Sequence, residues 1–139
     1  MTLPYKNRLD LTEAALVETI TEATIETLTL AELQTMPVDA CDCLPFGVIG
    51  LDTSGITKVY NATEARMASL APDRVLGLSF FNAVAQCMNN YLVAQRFEEE
   101  AELDVIIPYV LTLRMRPTPV RMRLLASKSS LLRYILIER

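Results

Sequence analysis

The chain has 139 residues, 51% of them hydrophobic, and a net charge of −4; this makes one ordinary domain with a real core, excludes a disordered segment and argues against a nucleic-acid partner. No stretch approaches the roughly 18 uninterrupted apolar residues of a membrane span, and Met1 to Asp10 lacks the apolar run of a secretory signal, so the expected location is cytoplasmic. There is no histidine and only three cysteines, Cys41, Cys43 and Cys87, which excludes Ser-His-Asp and Cys-His nucleophile systems, leaves no usual zinc set and builds no disulfide framework.

Asp10-Leu-Thr-Glu13 and Thr29-Leu-Ala-Glu32 both have capping-box spacing. The first precedes Ala15, Leu16, Ile20, Ala23 and Leu28 at near-helical spacing, and the second a short segment that Pro37 ends. Helices are therefore predicted over 11–27 and 30–35. Their apolar face needs burial, either on the rest of the domain or against a second copy as a homodimer. Residues 1–40 accordingly read as a helical N-terminal extension or cap, and 41–139 as the main domain.

Cys41-Asp42-Cys43 is expected to be a loop or strand entry, since two close thiols need further ligands to hold a metal. Phe46 to Leu51 reads as a strand, Asp52-Thr-Ser-Gly55 as a tight turn and Thr57 to Tyr60 as the hairpin partner. Short helical stretches are expected in 61–71, a turn at Pro72-Asp73, and a helix over Tyr91–Glu102 with a solvated acidic face. Apolar residues alternate in Val110–Arg116 and Val120–Leu124, Pro117 and Pro119 mark the connection, and Leu131–Ile137 supplies a last strand. The order predicts an α+β domain with one antiparallel sheet of five strands. Charge is uneven: residues 110–139 hold seven basic side chains against Glu138 alone. Solvated strand faces are the simple explanation, and a docking surface for an acidic partner the other.

Three spaced groups stand out: the Tyr60 phenol, the Glu64 carboxyl and the Cys87 thiol. A thiol can carry a covalently attached ligand, and a phenol with a carboxyl can share hydrogen bonds with an anionic oxygen on it. Singly they read as a strand residue, a surface helix residue and an inert core thiol.

Phe46-Gly47 with Leu51-Asp52 and Gly55, Tyr60-Asn61-Ala62 with Glu64, and Val75-Leu-Gly-Leu-Ser-Phe-Phe-Asn-Ala-Val-Ala-Gln-Cys87 together resemble the photoactive yellow protein family, a branch of the PAS-fold sensors. The likeness runs from about Leu44 to Arg139, with Met115-Arg-Pro-Thr-Pro-Val120 matching a later turn. It implies a PAS-like five-stranded sheet with flanking helices over 41–139, and a blue-light photoreceptor rather than an enzyme. Cys87 matches the attachment site of 4-hydroxycinnamic acid (p-coumaric acid) as a thioester. Tyr60 and Glu64 match the residues that hydrogen-bond the pigment's phenolate, and Met115, Phe80 and Leu70 fall at pocket positions. Beside the pigment's anion Glu64 is expected to be neutral and to donate. Ala68, Leu70, Gln86 and Leu111 stand where the family has a threonine, an arginine, a proline and an aromatic residue. The resemblance implies an unidentified downstream signalling protein as partner. The alternative reading is a pigment-free PAS module that senses another ligand or mediates protein contacts.

Overall fold

The computed structural model describes residues 23–112 and 116–139; residues 11–22 of the helix predicted over 11–27, and Met115, lie outside them. Five strands, β1 (Gly47–Leu51), β2 (Thr57–Tyr60), β3 (Leu103–Leu111), β4 (Thr118–Ala126) and β5 (Arg133–Glu138), form one sheet in the order β2-β1-β5-β4-β3. Every neighbouring pair is antiparallel, as the α+β reading predicted. The helices are α1 (Leu30–Thr35), α2 (Val38–Asp42), α3 (Ala62–Ala68) and α4 (Ala94–Glu99). Between α3 and α4 run two 3₁₀ turns, Pro72–Arg74 and Gln86–Met88, and a π-helical turn, Phe80–Val84.

Three predicted elements differ, each for a local reason. Residues 25–27 form a turn, not the end of a helix, because Thr27 Oγ1 accepts from Thr24 N (2.8 Å) and donates to Thr24 O (3.2 Å), a side-chain alternative to the helical ladder. Helix α4 begins at Ala94 rather than Tyr91, since Asn90 Oδ1 takes the Leu92 and Val93 amides. The third strand is Leu103–Leu111, not Val110–Arg116. Its alternating apolar residues, Leu103, Val105, Ile107, Tyr109 and Leu111, flank a proline, and Pro108 is tolerated because β3 is an edge strand. The capping box at Thr29 and Glu32 forms as predicted, with α1 spanning the expected 30–35.

Both faces of the sheet are covered, which explains the unbroken burial along β1 and the middle of β5. On one face Ile49, Met122, Leu124, Ile135 and Ile137 pack with Phe80, Met88 and Phe97. On the other, Val48, Leu125, Tyr134 and Leu136 pack with Ala23, Ile25, Leu28 and Leu33. The described part of the N-terminal segment thus covers the sheet, and α2 runs across positions 40 and 41.

Arg123 pins this segment. Its Nη1 donates to the carbonyls of Ile25 (2.8 Å) and Leu28 (2.6 Å), while Nε and Nη2 fork onto Asp104 (2.8 and 2.9 Å). Arg121 pairs with Glu26 and Glu138. These two arginines of the basic last third therefore meet acidic groups of the same chain.

Candidate functional site

Tyr60 is the last residue of β2, and Asn61 turns the chain into α3 as its N-cap. The Asn61 amide makes all four hydrogen bonds open to it. Its Oδ1 accepts from Glu64 N (3.0 Å) and Val48 N (2.9 Å), and its Nδ2 donates to Cys41 O (2.9 Å) and Phe46 O (3.0 Å). Asp42 Oδ1 takes the Ala62 amide at 2.8 Å. The start of α3 is thereby tied to β1 and to α2, and Glu64, in the helix's first turn, is carried inward to 2% exposure.

Such burial of a carboxyl demands a partner. Arg139, just past β5, supplies it: Nη1 donates to Glu64 Oε1 (2.7 Å) and Nη2 to Oε2 (3.0 Å). The Arg139 residue as a whole is exposed, but its side chain is only 11% so. This two-pronged contact pairs the buried Glu64 carboxyl with a guanidinium in the absence of any bound anion. Space for it comes from Gly47, where a Cβ would lie 2.0 Å from Glu64 Oε1.

Tyr60, Glu64, Ala68, Ser69, Leu70, Phe80, Val84, Ala85 and Met88 line a cavity of about 140 Å³. Apart from Tyr60, Glu64 and Ser69 its wall is apolar, and its volume resembles that of apolar cavities of about 150 Å³ that take one benzene ring. Tyr60 is buried. Burial first, and then the Glu64 charge, hold its phenol well above the ordinary range, with Arg139 partly opposing them. Tyr60 therefore stands as a neutral hydroxyl beside a carboxylate.

The structure thus gathers Tyr60, Glu64, Leu70 and Phe80 around one space. Cys87 is half-buried and packs against the same core, but its own side chain is not in the cavity lining, although Ala85 and Met88 on either side of it are. Its carbonyl is fixed by the Tyr109 hydroxyl (2.6 Å) and Asn90 Nδ2 (3.1 Å). Leu111 is buried in that core too. Cys41 is buried in α2 while Cys43, at its end, is exposed, so these two thiols lie in different surroundings. Sequence reasoning missed Arg139 and the function of Gly47. Arg139 is 75 residues from Glu64, and only the pairing of Gly47 with Ile137 brings the two together.

A five-stranded antiparallel sheet in the order β2-β1-β5-β4-β3, with short helices beside a small apolar cavity, defines a PAS-type domain. No family model matches the chain. It is 34% identical over 86 residues to the photoactive yellow protein of Rhodothalassium salexigens, an alignment spanning 60% of this chain and 69% of that protein. Among solved structures, the photoactive yellow protein domain of the sensor histidine kinase Ppr from Rhodospirillum centenum superposes with a TM-score of 0.72 at 30% identity, over 78% of this chain and 98% of that one. The PAS domain of an HTR-like protein from Haloarcula marismortui shares the fold alone, with TM-score 0.53 and 16% identity over 79% of this chain and 98% of that one. The chain belongs to the photoactive yellow protein family.

Proposed function

We propose that this chain is a light-sensing PAS domain that carries a 4-hydroxycinnamoyl group as a thioester on Cys87. The carrying observation is a single ring-sized apolar cavity with Tyr60 and Glu64 in its wall and Cys87 beside two of its lining residues. Family membership supports the same reading.

In this reading Cys87 Sγ attacks the carbonyl carbon of an activated hydroxycinnamoyl ester. The carbon–sulfur bond forms, the bond to the leaving group breaks, and the thiol proton passes to solvent or to the departing group. Tyr109 and Asn90 hold the Cys87 carbonyl and so fix the backbone that carries the thiol. Tyr60 and Glu64 take the hydroxyl end of the ring, while Leu70, Phe80, Val84 and Met88 exclude water from it. When bound, the group supplies a double bond that light isomerises. The protein's contribution is then a buried polar pair whose hydrogen bonds change when the ring moves.

A second reading, a PAS module holding a small apolar ligand without a covalent bond, is favoured by the absence of Cys87 itself from the cavity lining. The two separate by mass: incubation with the activated ester should add one acyl group to the wild type and none to Cys87→Ser. The output of either sensor is proposed to be contact with a downstream signalling protein.

A further inference from the structure

We propose that the protein has a second ligand site, on the opposite face of the sheet from the Tyr60–Glu64 cavity, that takes a small neutral alcohol with an apolar body. The site is a cavity of about 190 Å³ lined from α1, α2 and strands β1, β2 and β5. It goes beyond the light-sensing reading and does not depend on it.

The sequence makes room for it at Gly50. Sheet register sets Gly50 beside Tyr134 on β5 and Val59 on β2. A Cβ on Gly50 would come 3.1 Å from the Tyr134 ring and 2.9 Å from Val59 Cβ, so the missing side chain lets the ring pack against β1. Tyr134 is 2% exposed, yet its hydroxyl makes no hydrogen bond among the described residues. No fully buried side-chain oxygen or nitrogen of the described residues lacks a partner. The Tyr134 oxygen therefore opens onto space, and this cavity is the space that Tyr134 borders. Burial, and then the nearby Cys41, hold its phenol above the ordinary range, so it stays a neutral hydroxyl able both to donate and to accept. Leaving such a group unpaired is costly, and a ligand hydroxyl relieves that cost.

The rest of the wall sets the ligand class. Leu33, Met36, Cys41, Val48 and Val59 give it apolar surface. Two charged residues reach it, Lys58 and Asp42, and they are opposite in sign. Each already has a neighbour: Lys58 lies 4.0 Å from Asp52, and Asp42 Oδ1 accepts from the Ala62 amide at 2.8 Å. A charged ligand would thus lose its hydration for little return. At 190 Å³, against 140 Å³ for the Tyr60–Glu64 cavity, the space suits one ring with a short side chain. Val38 and Leu76, 76% and 43% exposed, offer apolar surface at the opening that a seated ligand would cover. The occupant also rests against the corner of the other site, since Tyr60 borders both cavities and Asn61 holds the Glu64 amide.

The test uses 2-phenylethanol and propylbenzene, probes of similar shape of which only the first has a hydroxyl, with the full chain labelled on its methionine methyls. Met36 borders this cavity and Met88 the other, so methyl NMR shifts report where a probe sits. 2-Phenylethanol should shift Met36 saturably. Tyr134→Phe should weaken that binding about fivefold, as the loss of one hydrogen bond does, and should not weaken propylbenzene. Val38→Gln, at an exposed position that folding tolerates, should weaken both probes and keeps the test readable if Tyr134→Phe does not fold. No saturable shift at Met36, shifts confined to Met88, an equal effect of Tyr134→Phe on the two probes, or unchanged binding in Val38→Gln would each overturn the proposal. Neither probe needs Cys87, so a chain that takes no acyl group would leave this result standing.

Discussion

Glu64 and Arg139 form a pair in which each side chain is worth more as a partner than as a contributor. Burying an ion pair brings little net stability, but removing one member strands a charge, which costs about 3–5 kcal/mol. Arg139→Ala should therefore unfold at much lower urea, whereas the double change of Glu64→Gln and Arg139→Gln should lose much less; equal losses in equilibrium unfolding would show that the pair is not coupled. Gly47→Ala tests the same geometry from the strand side, because its methyl would overlap Glu64 Oε1. It should disturb the cavity as well as stability, so that a variant with unchanged melting and unchanged ligand uptake would contradict the placement. Cys41 gives a pH signature. Burial, then the Asp42 charge, push its thiol from 9.0 up to about 11. The folded chain thus holds this proton more tightly than the unfolded one, so the thiol's contribution to stability is complete below pH 9 and is lost as pH rises toward 11. Urea midpoints should fall across that window, and the fall should be shallower in Cys41→Ala; a parallel fall in both would refute the assignment. Tyr60 and Tyr134, also shifted upward by burial, add the same sign at higher pH.

Segment 23–35 shows how an element is held by side chains far away in sequence. Its helix α1 was legible because Thr29 and Glu32 carry a complete local signal, and β1 and β2 because a hairpin turn joins two short apolar runs. The turn at 25–27 was not legible: Ala23 and Leu28 keep a helical apolar spacing, but Arg123 draws the Ile25 and Leu28 carbonyls to the sheet, and no local pattern announces a partner almost a hundred residues on. Likewise Pro108 reads as a breaker until the strand order places β3 at an edge. The basic last third has the same explanation in part, since Arg121, Arg123 and Arg139 face the chain's own carboxylates. Arg123→Ala should cost roughly 1.5–3 kcal/mol, the range for hydrogen bonds to a charged group, and speed amide exchange selectively in 23–29. Uniform exchange across the sheet would contradict the clamp.

The whole molecule is a sheet covered on both faces, with the cavity on the side of α3 and α4 and the N-terminal segment on the other. No helix among the described residues is long and apolar enough to cross a membrane. At this scale the fold was readable from the order of periodicities, whereas Tyr60 and Glu64 were singled out by the family resemblance and not by any local pattern. The electrostatic state of the site was not readable, because it depends on a residue brought in by β1–β5 pairing. Two routes of communication follow from the architecture: α3 reaches α2 through Asn61 and Asp42, and β4 reaches the N-terminal segment through Arg123. A change at Glu64 therefore has a direct structural connection to the far face of the sheet by way of α2. The most direct test of the account is intact-protein mass spectrometry and absorption after incubation with an activated 4-hydroxycinnamoyl ester. The account predicts one acyl group per chain, lost in Cys87→Ser and retained in Cys41→Ser and Cys43→Ser, with an absorption band that responds to light. A folded chain that takes no acyl group, or takes it equally on Cys43, would contradict it.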